Sequence, residues 1–355
     1  MNLYKYFQEQ RLILLLPMEL EILQNIYNKK FHQALNRIEQ NVPPIWMMRQ
    51  AGRYHKHYQS LKQRYSFEEL CRQPELACEV TLGPIEDFDF DAAILFSDIL
   101  FPLDFLGMGL SFRPGPIFEN NLSKEMLNNY NLDDFTDYIQ FQNESLGLIR
   151  QNLSKDKSLI GFVGGPITLY HFAIRNNPIA DNLTSLALPV LENILSKNID
   201  IQFSHDIDLL MIFDTEANNL KDEEFVTYCI PFIKTITKKY SNRIGYFTKN
   251  ISSNKFQELK KIEGLKLTVL GTQQNIFEEL PNTELSLQGN FSNELLTIDD
   301  KSSFKSSLNE YLSLCLDYPP AYRSGWIASL DHGVQKITPE ANIHLFIDQI
   351  RTKLT

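Results

Sequence analysis

The sequence predicts one α/β domain in which eight parallel strands alternate with helices and close into a single (β/α)8 TIM barrel. Eight short apolar runs recur along 355 residues, stretches with helical spacing separate them, and no Pro- or Gly-rich linker divides the chain. Repeated strand-then-helix order is typical of a parallel sheet. Eight strands in a chain of this length favour a closed barrel over an open doubly wound sheet, and no G-x-G-x-x-G sequence follows any run to indicate a dinucleotide fold.

Each predicted strand is an apolar run that ends in a small or polar residue, which is typical of a parallel strand buried on both faces. The eight runs are residues 45–48, 92–96, 158–163, 209–213, 243–247, 265–270, 284–287 and 325–330. Four predicted helices cover residues 67–88, 183–199, 223–240 and 304–316. Residues 107–131, which include Arg113-Pro-Gly-Pro, are predicted to form an ordered loop over the barrel mouth.

The ends of the chain and its composition limit its class. Residues 1–35 are predicted to be an N-terminal extension and residues 36–355 the barrel, and the apolar run 12–17 is too short for a signal-peptide core or a membrane span. A formal net charge of -10 opposes binding to nucleic acid or to an anionic membrane. The four cysteines form no C-x-x-C pair and have no His at zinc spacing, which predicts a reduced, cytoplasmic chain without a metal.

The active site of such a barrel lies at the C-terminal ends of its strands. The first run leads into Arg49-Gln-Ala-Gly-Arg53, which places two guanidinium groups on one loop beside a glycine that permits a tight turn. Two planar guanidinium groups suit the carboxylates of a ligand. The alternative is a structural ion pair with acids of the barrel, because a charge at a strand end requires a partner.

Single polar residues follow three other strands. Asp98 follows the second run and is either an acid aimed at the mouth or a cap of the next helix. Thr215 follows the fourth run, directly after Asp214, and His332 follows the eighth. Residues of these types more often form caps and turns than sites. The Arg pair on the neighbouring strand is what favours a functional role for Asp98.

Residues 44–54, Pro-Ile-Trp-Met-Met-Arg-Gln-Ala-Gly-Arg-Tyr, closely resemble the N-terminal signature of uroporphyrinogen decarboxylases. The resemblance continues through residues 67–112, which contain Asp98, and through LIGFVGGPITL, IFDT, LQGN and the closing His332-Gly333. It therefore extends from about Ile45 to the C-terminus.

The resemblance implies a carboxy-lyase of haem biosynthesis, a single barrel that is usually a homodimer and uses no metal or organic cofactor. Its tetrapyrrole substrate, uroporphyrinogen III, loses CO2 from four acetate side chains and becomes coproporphyrinogen III. By resemblance, Asp98 and Arg49 are catalytic, and Asp98 stays ionised at the pyrrole N–H groups to stabilise a transient ring cation. The residues implied in substrate binding are Arg49, Gln50, Ala51, Gly52, Arg53, Asp98, Phe172, Thr215 and His332.

The chain also departs from the family pattern. Phe172 stands where the family usually has a tyrosine whose hydroxyl lies near Asp98, so that Tyr170 or His171 would have to supply a polar group instead. Late strand ends differ as well, with Gly271-Thr-Gln-Gln in place of Gly-Leu-Asp-Trp. These departures leave a second hypothesis, a porphyrinogen-binding relative without activity. A third hypothesis, a corrinoid-type methyltransferase, requires a zinc site built from thiolate and histidine ligands.

Overall fold

A computed structural model describes residues 29–113, 115–175 and 183–354 of the chain. Within them, seven parallel strands form one curled sheet whose spatial order follows the chain order, β1-β4-β5-β6-β7-β8-β9, and two further strands form an antiparallel hairpin. The sheet strands are β1 Ala92–Ile94, β4 Ser158–Gly164, β5 Leu209–Phe213, β6 Ile244–Phe247, β7 Leu265–Val269, β8 Ser286–Phe291 and β9 Trp326–Leu330. The hairpin strands are β2 Leu110–Phe112 and β3 Pro116–Phe118.

Helices lie between nearly all consecutive strands of the sheet. In chain order they are α1 Lys29–Leu35, α2 Lys56–Lys62, α3 Phe67–Arg72, α4 Pro74–Phe88, α5 Phe101–Leu103, α6 Lys124–Asn129, α7 Asp134–Tyr138, α8 Gln140–Asn152, α9 Pro166–Ile174, α10 Thr184–Phe203, α11 Asp222–Tyr228, α12 Ile230–Lys239, α13 Ser253–Lys260, α14 Ile276–Glu279, α15 Lys301–Leu316 and α16 Glu340–Lys353. The predicted helices 67–88 and 223–240 are each two helices. Both breaks fall next to a proline, Pro74 or Pro231, whose missing N–H is tolerated only in the first turn of a helix.

The prediction of a strand at residues 45–48 is wrong. Only Ile45 pairs, through an isolated bridge to Ala328 of β9. On its other side, the N–H of Asp91 donates to the Ile45 carbonyl (2.9 Å), and the N–H of Ile45 donates to the Asp91 carboxylate (2.8 Å). The chain then turns away from the sheet. The Met47 N–H donates to the Gln50 side chain at 3.2 Å and therefore makes no hydrogen bond to a neighbouring strand. This segment therefore contacts both β9 and the residue that leads into β1.

The seventh predicted strand is displaced, since residues 284–287 correspond to β8 at Ser286–Phe291. The prediction of a loop at residues 107–131 is also wrong, because this region contains the β2–β3 hairpin and α6. The hairpin is held by Phe112, whose ring lies against Phe67 with centroids 4.6 Å apart and whose N–H donates to Glu68 at 2.8 Å. Both contacts are with α3, which is distant in the sequence.

The core lies on both faces of the sheet. Every residue of β4, β8 and β9 is buried, which agrees with strands covered on both sides. The helix α1 packs at the N-terminal end of the strands, where Phe31 and Ala34 are fully buried and the Ser286 hydroxyl donates to the Ala34 carbonyl at 2.8 Å. Residues 12–17 lie outside the described residues. No helix in the described part of the chain has both the length and the apolar character that crossing a bilayer requires.

Candidate active site

The loop Arg49–Arg53 is fixed to the sheet by Gln50. The Gln50 side chain is 1% exposed and donates to the carbonyl of Ala92 in β1 (3.0 Å), while the hydroxyl of Tyr54 donates to the Gln50 carbonyl (2.7 Å). Gln50 therefore supports the loop from behind, and any ligand contact would come from its backbone. Arg49 itself has a φ of 61°, a left-handed conformation that reverses the chain at the strand end.

The guanidinium groups of Arg49 and Arg53 face open space at the C-terminal ends of the strands. In residues 29–113, 115–175 and 183–354, no carboxylate oxygen lies within 4.0 Å of either group, so the interpretation as a structural ion pair is wrong. Although both side chains are exposed, the protein around Arg49 lowers its pKa through desolvation, the charge of Arg53 lowers it further, and Asp98 opposes the shift. Two cations thus remain available for an anionic ligand.

Asp98 follows β1, and its side chain stabilises the turn that precedes α5. One carboxylate oxygen accepts the N–H of Leu100 at 2.8 Å in an Asx turn. The expectation that Asp98 caps the next helix is wrong, because Leu100 occupies the N-cap position of α5 and this helix begins without a side-chain cap. No described residue donates a hydrogen bond to the other oxygen. Part of the side chain remains open to solvent, yet desolvation raises its pKa to about 6, opposed by the Leu100 N–H and by the charge of Arg49. The carboxylate is therefore mostly ionised at neutral pH and lies close enough to Arg49 for the two charges to interact.

His332 meets Arg49 from the last strand. Gly333 makes this possible, since a Cβ on it would lie 2.6 Å from Cδ of Arg49. The Gly333 N–H donates to Nδ1 of His332 at 2.7 Å, so the neutral ring carries its proton on Nε2. Burial, with the charges of Arg49 and Lys249, lowers the pKa of His332 to about 4. At neutral pH the imidazole is therefore an uncharged hydrogen-bond donor.

Asp214 is structural, whereas the next residue is partly exposed. The Asp214 carboxylate is fully buried and accepts the Thr168 N–H (2.7 Å) and the Tyr246 hydroxyl (3.2 Å). Burial raises its pKa to about 6. It ties α9 to β5, and Gly165 must lack a side chain because a Cβ there would overlap the carboxylate. Thr215 is half-buried, and its hydroxyl has no hydrogen-bond partner among the described residues.

Phe172 lies half-buried on α9, which begins after the end of β4. Neither neighbour supplies a hydroxyl or imidazole to Asp98. The Tyr170 hydroxyl accepts a hydrogen bond from the Thr184 hydroxyl at 2.9 Å, and Nε2 of His171 lies 3.8 Å from the carboxylate of Glu216. Instead, the guanidinium carbon of Arg175 lies 4.9 Å from the centroid of the Phe172 ring.

The structure thus brings Arg49, Asp98 and His332 together, with Arg53 beside them, while Thr215 and Phe172 form no hydrogen bond with these residues. Sequence reasoning missed Arg175, Lys249 and the close approach of Gly333 to Arg49. The spacing of three residues between Phe172 and Arg175 was the one local signal, since it places both on the same side of a helix.

Within the part of the chain that the structure describes, no group of three His, Cys, Asp or Glu side chains could hold a metal ion. All four cysteines are free and buried, and burial raises the pKa of Cys71, Cys78, Cys229 and Cys315. Buried thiols of raised pKa are poor metal ligands and nucleophiles. The thiolate–histidine site that a corrinoid-type methyltransferase requires is not formed by these residues.

This α/β fold has, at the carboxyl ends of its parallel strands, an ionised carboxylate and two arginines without an acidic partner among the described residues. Such an arrangement is typical of the class of α/β proteins that bind small anionic ligands at this edge of the sheet. A family model described as uroporphyrinogen decarboxylase (URO-D) matches residues 27–353. The chain belongs to the uroporphyrinogen decarboxylase family.

Individual relatives agree with this assignment. The chain is 33% identical over 348 residues to a uroporphyrinogen decarboxylase of Orientia tsutsugamushi (strain Ikeda), an alignment that covers 91% of this chain and 98% of that protein. It is 32% identical to the enzyme of the same name from Wigglesworthia glossinidia brevipalpis, with 86% and 90% covered. In fold it resembles a methyltransferase from Methanosarcina mazei, with a TM-score of 0.73, 14% identity and coverage of 92% of this chain and 99% of that one. At that identity the likeness concerns the fold alone.

Proposed function

We propose that this chain is a carboxy-lyase that removes CO2 from the four acetate side chains of uroporphyrinogen III and releases coproporphyrinogen III. The observation that carries the proposal is the Asp98 carboxylate, one oxygen of which has no donor among the described residues. Its charge interacts with that of Arg49, and neither Arg49 nor Arg53 has an acidic partner in the same part of the chain. Such a site matches a ring of N–H groups surrounded by carboxylates.

The reaction requires a temporary electron sink. A proton adds to the pyrrole α-carbon next to the ring carbon that bears the acetate and creates a ring cation. The bond between the acetate methylene and its carboxylate then breaks, and its electron pair neutralises the cation and leaves an exocyclic methylene. A second proton converts this methylene to a methyl group, and the α-carbon then loses the proton that it first gained, which restores the aromatic pyrrole. No redox partner is needed, because the departing electrons stay in the macrocycle.

In this scheme Asp98 accepts hydrogen bonds from the pyrrole N–H groups and stabilises the cation by its charge. A fixed charge of this kind is stronger in a site from which the ligand excludes water, and loss of one such group commonly lowers kcat by about 10²-fold or more. Arg49 and Arg53 bind substrate carboxylates and hold the reacting ring over Asp98. The Nε2–H of neutral His332 and the hydroxyl of Thr215 are further donors to the substrate.

Arg49 is first a positioning group and second an acid, because even with a lowered pKa a guanidinium transfers its proton reluctantly. His332 is neutral at neutral pH and lacks the second ring proton that an acid would donate. A substrate carboxyl or a bound water is therefore the better proton source.

The finer architecture belongs to the same proposal. The segment that contains Ile45 bridges Ala328 on β9 and exchanges hydrogen bonds with Asp91 next to β1, which supports closure of the sheet into a (β/α)8 barrel. The family relationship supports a homodimer that acts without metal or organic cofactor, and four free, buried cysteines support a reducing, cytoplasmic location.

The proposal is tested by incubating the full chain anaerobically with uroporphyrinogen III and separating the oxidised products by chromatography. We expect species with seven, six, five and finally four carboxylates to appear in succession. An unchanged eight-carboxylate profile at equimolar enzyme would contradict it.

One observation favours the alternative of a binding relative without activity, namely Phe172 in place of the family's tyrosine. That alternative predicts saturable binding of uroporphyrinogen with no product, and recovery of turnover in Phe172→Tyr. Turnover by the unmodified chain would eliminate it.

A further inference from the structure

Arg175, at the end of the helix that follows β4, is another cation without an acidic partner among the described residues. It is the C-cap residue of α9, and its side chain is exposed. Its guanidinium donates to the carbonyl of Pro116 in the hairpin at 2.6 Å and lies over the ring of Phe172. No carboxylate oxygen of residues 29–113, 115–175 or 183–354 lies within 4.0 Å of it. A guanidinium has five N–H donors, so most of them remain free for a ligand.

The two contacts of Arg175 determine its orientation. The Phe172 ring shields one face of the guanidinium from water, and the Pro116 carbonyl fixes one of its N–H groups. An arginine held in this way loses less conformational freedom when it binds an anion than an arginine free in solvent does. The remaining edge is therefore oriented to bind a planar pair of oxygens that share a negative charge, such as a carboxylate.

The position of Arg175 connects it to the candidate active site. The helix that carries it starts at the carboxyl end of β4, next to β1 and Asp98 in the sheet. The hairpin that it contacts follows Asp98 in the chain through α5. The hydrogen bond from Arg175 thus joins the end of α9 to the hairpin that follows Asp98 in the chain. In a chain whose formal net charge is -10, an anionic ligand finds few other attractive surfaces.

We propose that Arg175 binds a carboxylate of the tetrapyrrole substrate and supplies at this wall the polar contact that the Phe172 side chain cannot make. This inference rests on the proposed function. In this proposal the Phe172 ring orients the guanidinium of Arg175. Arg175 is then a substrate-binding residue that contacts a carboxylate side chain of the macrocycle.

The main test compares Arg175→Gln and Arg175→Lys with a matched control, Arg243→Gln. Arg243 has the same local geometry, with its guanidinium carbon 4.7 Å from the Phe203 ring centroid and a hydrogen bond to the Ile207 carbonyl, but it directly precedes β6 at the opposite end of the strands. Loss of a cation–π contact and a backbone hydrogen bond is therefore common to both glutamine variants. Only the Arg175 variant also loses a cation at the mouth.

We expect Arg175→Gln to raise KM for uroporphyrinogen roughly tenfold with kcat changed less than about threefold, the pattern of lost uniform binding to a charged group. Arg175→Lys keeps the charge but loses the planar stack and should fall between Arg175→Gln and the wild type. Arg243→Gln should leave KM unchanged. Equal KM values in Arg175→Gln and the wild type, or an equal rise in Arg243→Gln, would overturn the proposal.

A second measurement separates this inference from the proposed function. Uroporphyrin III, the oxidised macrocycle with the same eight carboxylates, serves as a probe whose binding is followed by fluorescence without turnover. The affinity of Arg175→Gln for it should fall by the same factor as KM rises, and unchanged affinity would reject the role of Arg175. If the wild type binds uroporphyrin through Arg175 but forms no product, the proposed function fails and the inference stands.

Discussion

Asp98→Asn is expected to make the protein more stable at neutral pH while it removes the proposed activity. The oxygen of Asp98 that accepts the Leu100 N–H has an equivalent in asparagine, and the other oxygen accepts no hydrogen bond from a described residue. The substitution therefore preserves this hydrogen bond and removes only the charge. Since desolvation is the main cause of the raised pKa of Asp98, the folded protein is destabilised by holding this carboxylate ionised.

The size of the effect follows from the pKa. A rise from 3.8 to about 6 is a difference of about 2.2 pKa units, which at 1.36 kcal/mol per unit gives about 3 kcal/mol as an upper value. Because the folded-state pKa of this acid is raised, the wild type binds its proton more tightly when folded and loses stability as pH rises from below 3.8 to above 6. The asparagine variant lacks this loss. The free energy of unfolding of the variant should thus exceed that of the wild type by the full amount above about pH 7 and by about half that amount near pH 5.

Urea unfolding of both proteins at about pH 5 and about pH 7.5 measures this difference, and uroporphyrinogen turnover measured in parallel shows the accompanying loss of rate. We expect a gap in the free energy of unfolding that widens with pH. A gap of the same size at both values, or a variant that is less stable than the wild type at the higher pH, would refute the assignment of Asp98 as a desolvated, unpaired carboxylate.

Three further predictions concern the neighbouring residues. Gly333→Ala places a Cβ 2.6 Å from Cδ of Arg49. The flexible Arg49 side chain can move away, so thermal stability should change little while kcat/KM falls about tenfold or more. Unchanged kinetics would show that Arg49 has no fixed role. The kcat/KM of the wild type should fall as pH decreases through about 6, because Asp98 becomes protonated there. His332, with a pKa of about 4, stays neutral over this range. A flat profile from about pH 8 to pH 5 would contradict this. Gly165→Ala should lower the free energy of unfolding, measured by urea unfolding, by about 1–3 kcal/mol. The reason is that the added Cβ overlaps the Asp214 carboxylate that anchors α9. A loss of stability too small to measure would show that the packing here is loose.

The strand that the sequence predicted best is β5. The run 209–213 coincides with β5, because apolar residues buried on both faces leave a continuous pattern in the sequence. The segment at residues 45–48 has the same apolar character but forms a single bridge, since Gln50 and the left-handed Arg49 turn the chain there. Local hydrophobicity does not contain that information.

For the site, the Arg49–Arg53 loop and Asp98 could be predicted because each follows an apolar run directly. The contact between Gly333 and Arg49 could not, because the two residues are distant in the sequence and meet only when the last strand lies beside the first segment. The same holds for Arg175, whose orientation depends on a hairpin carbonyl that the sequence predicted to be in a loop. Side-chain roles that depend on such long-range contacts require the fold.

The most direct test of the central claim, that the fixed Asp98 anion stabilises a ring cation, is a comparison of kcat for the wild type and Asp98→Asn at saturating uroporphyrinogen III. We predict that kcat falls about 10²-fold or more, while the affinity for uroporphyrin III, which the arginines provide, changes far less. A kcat for Asp98→Asn close to that of the wild type would contradict the account.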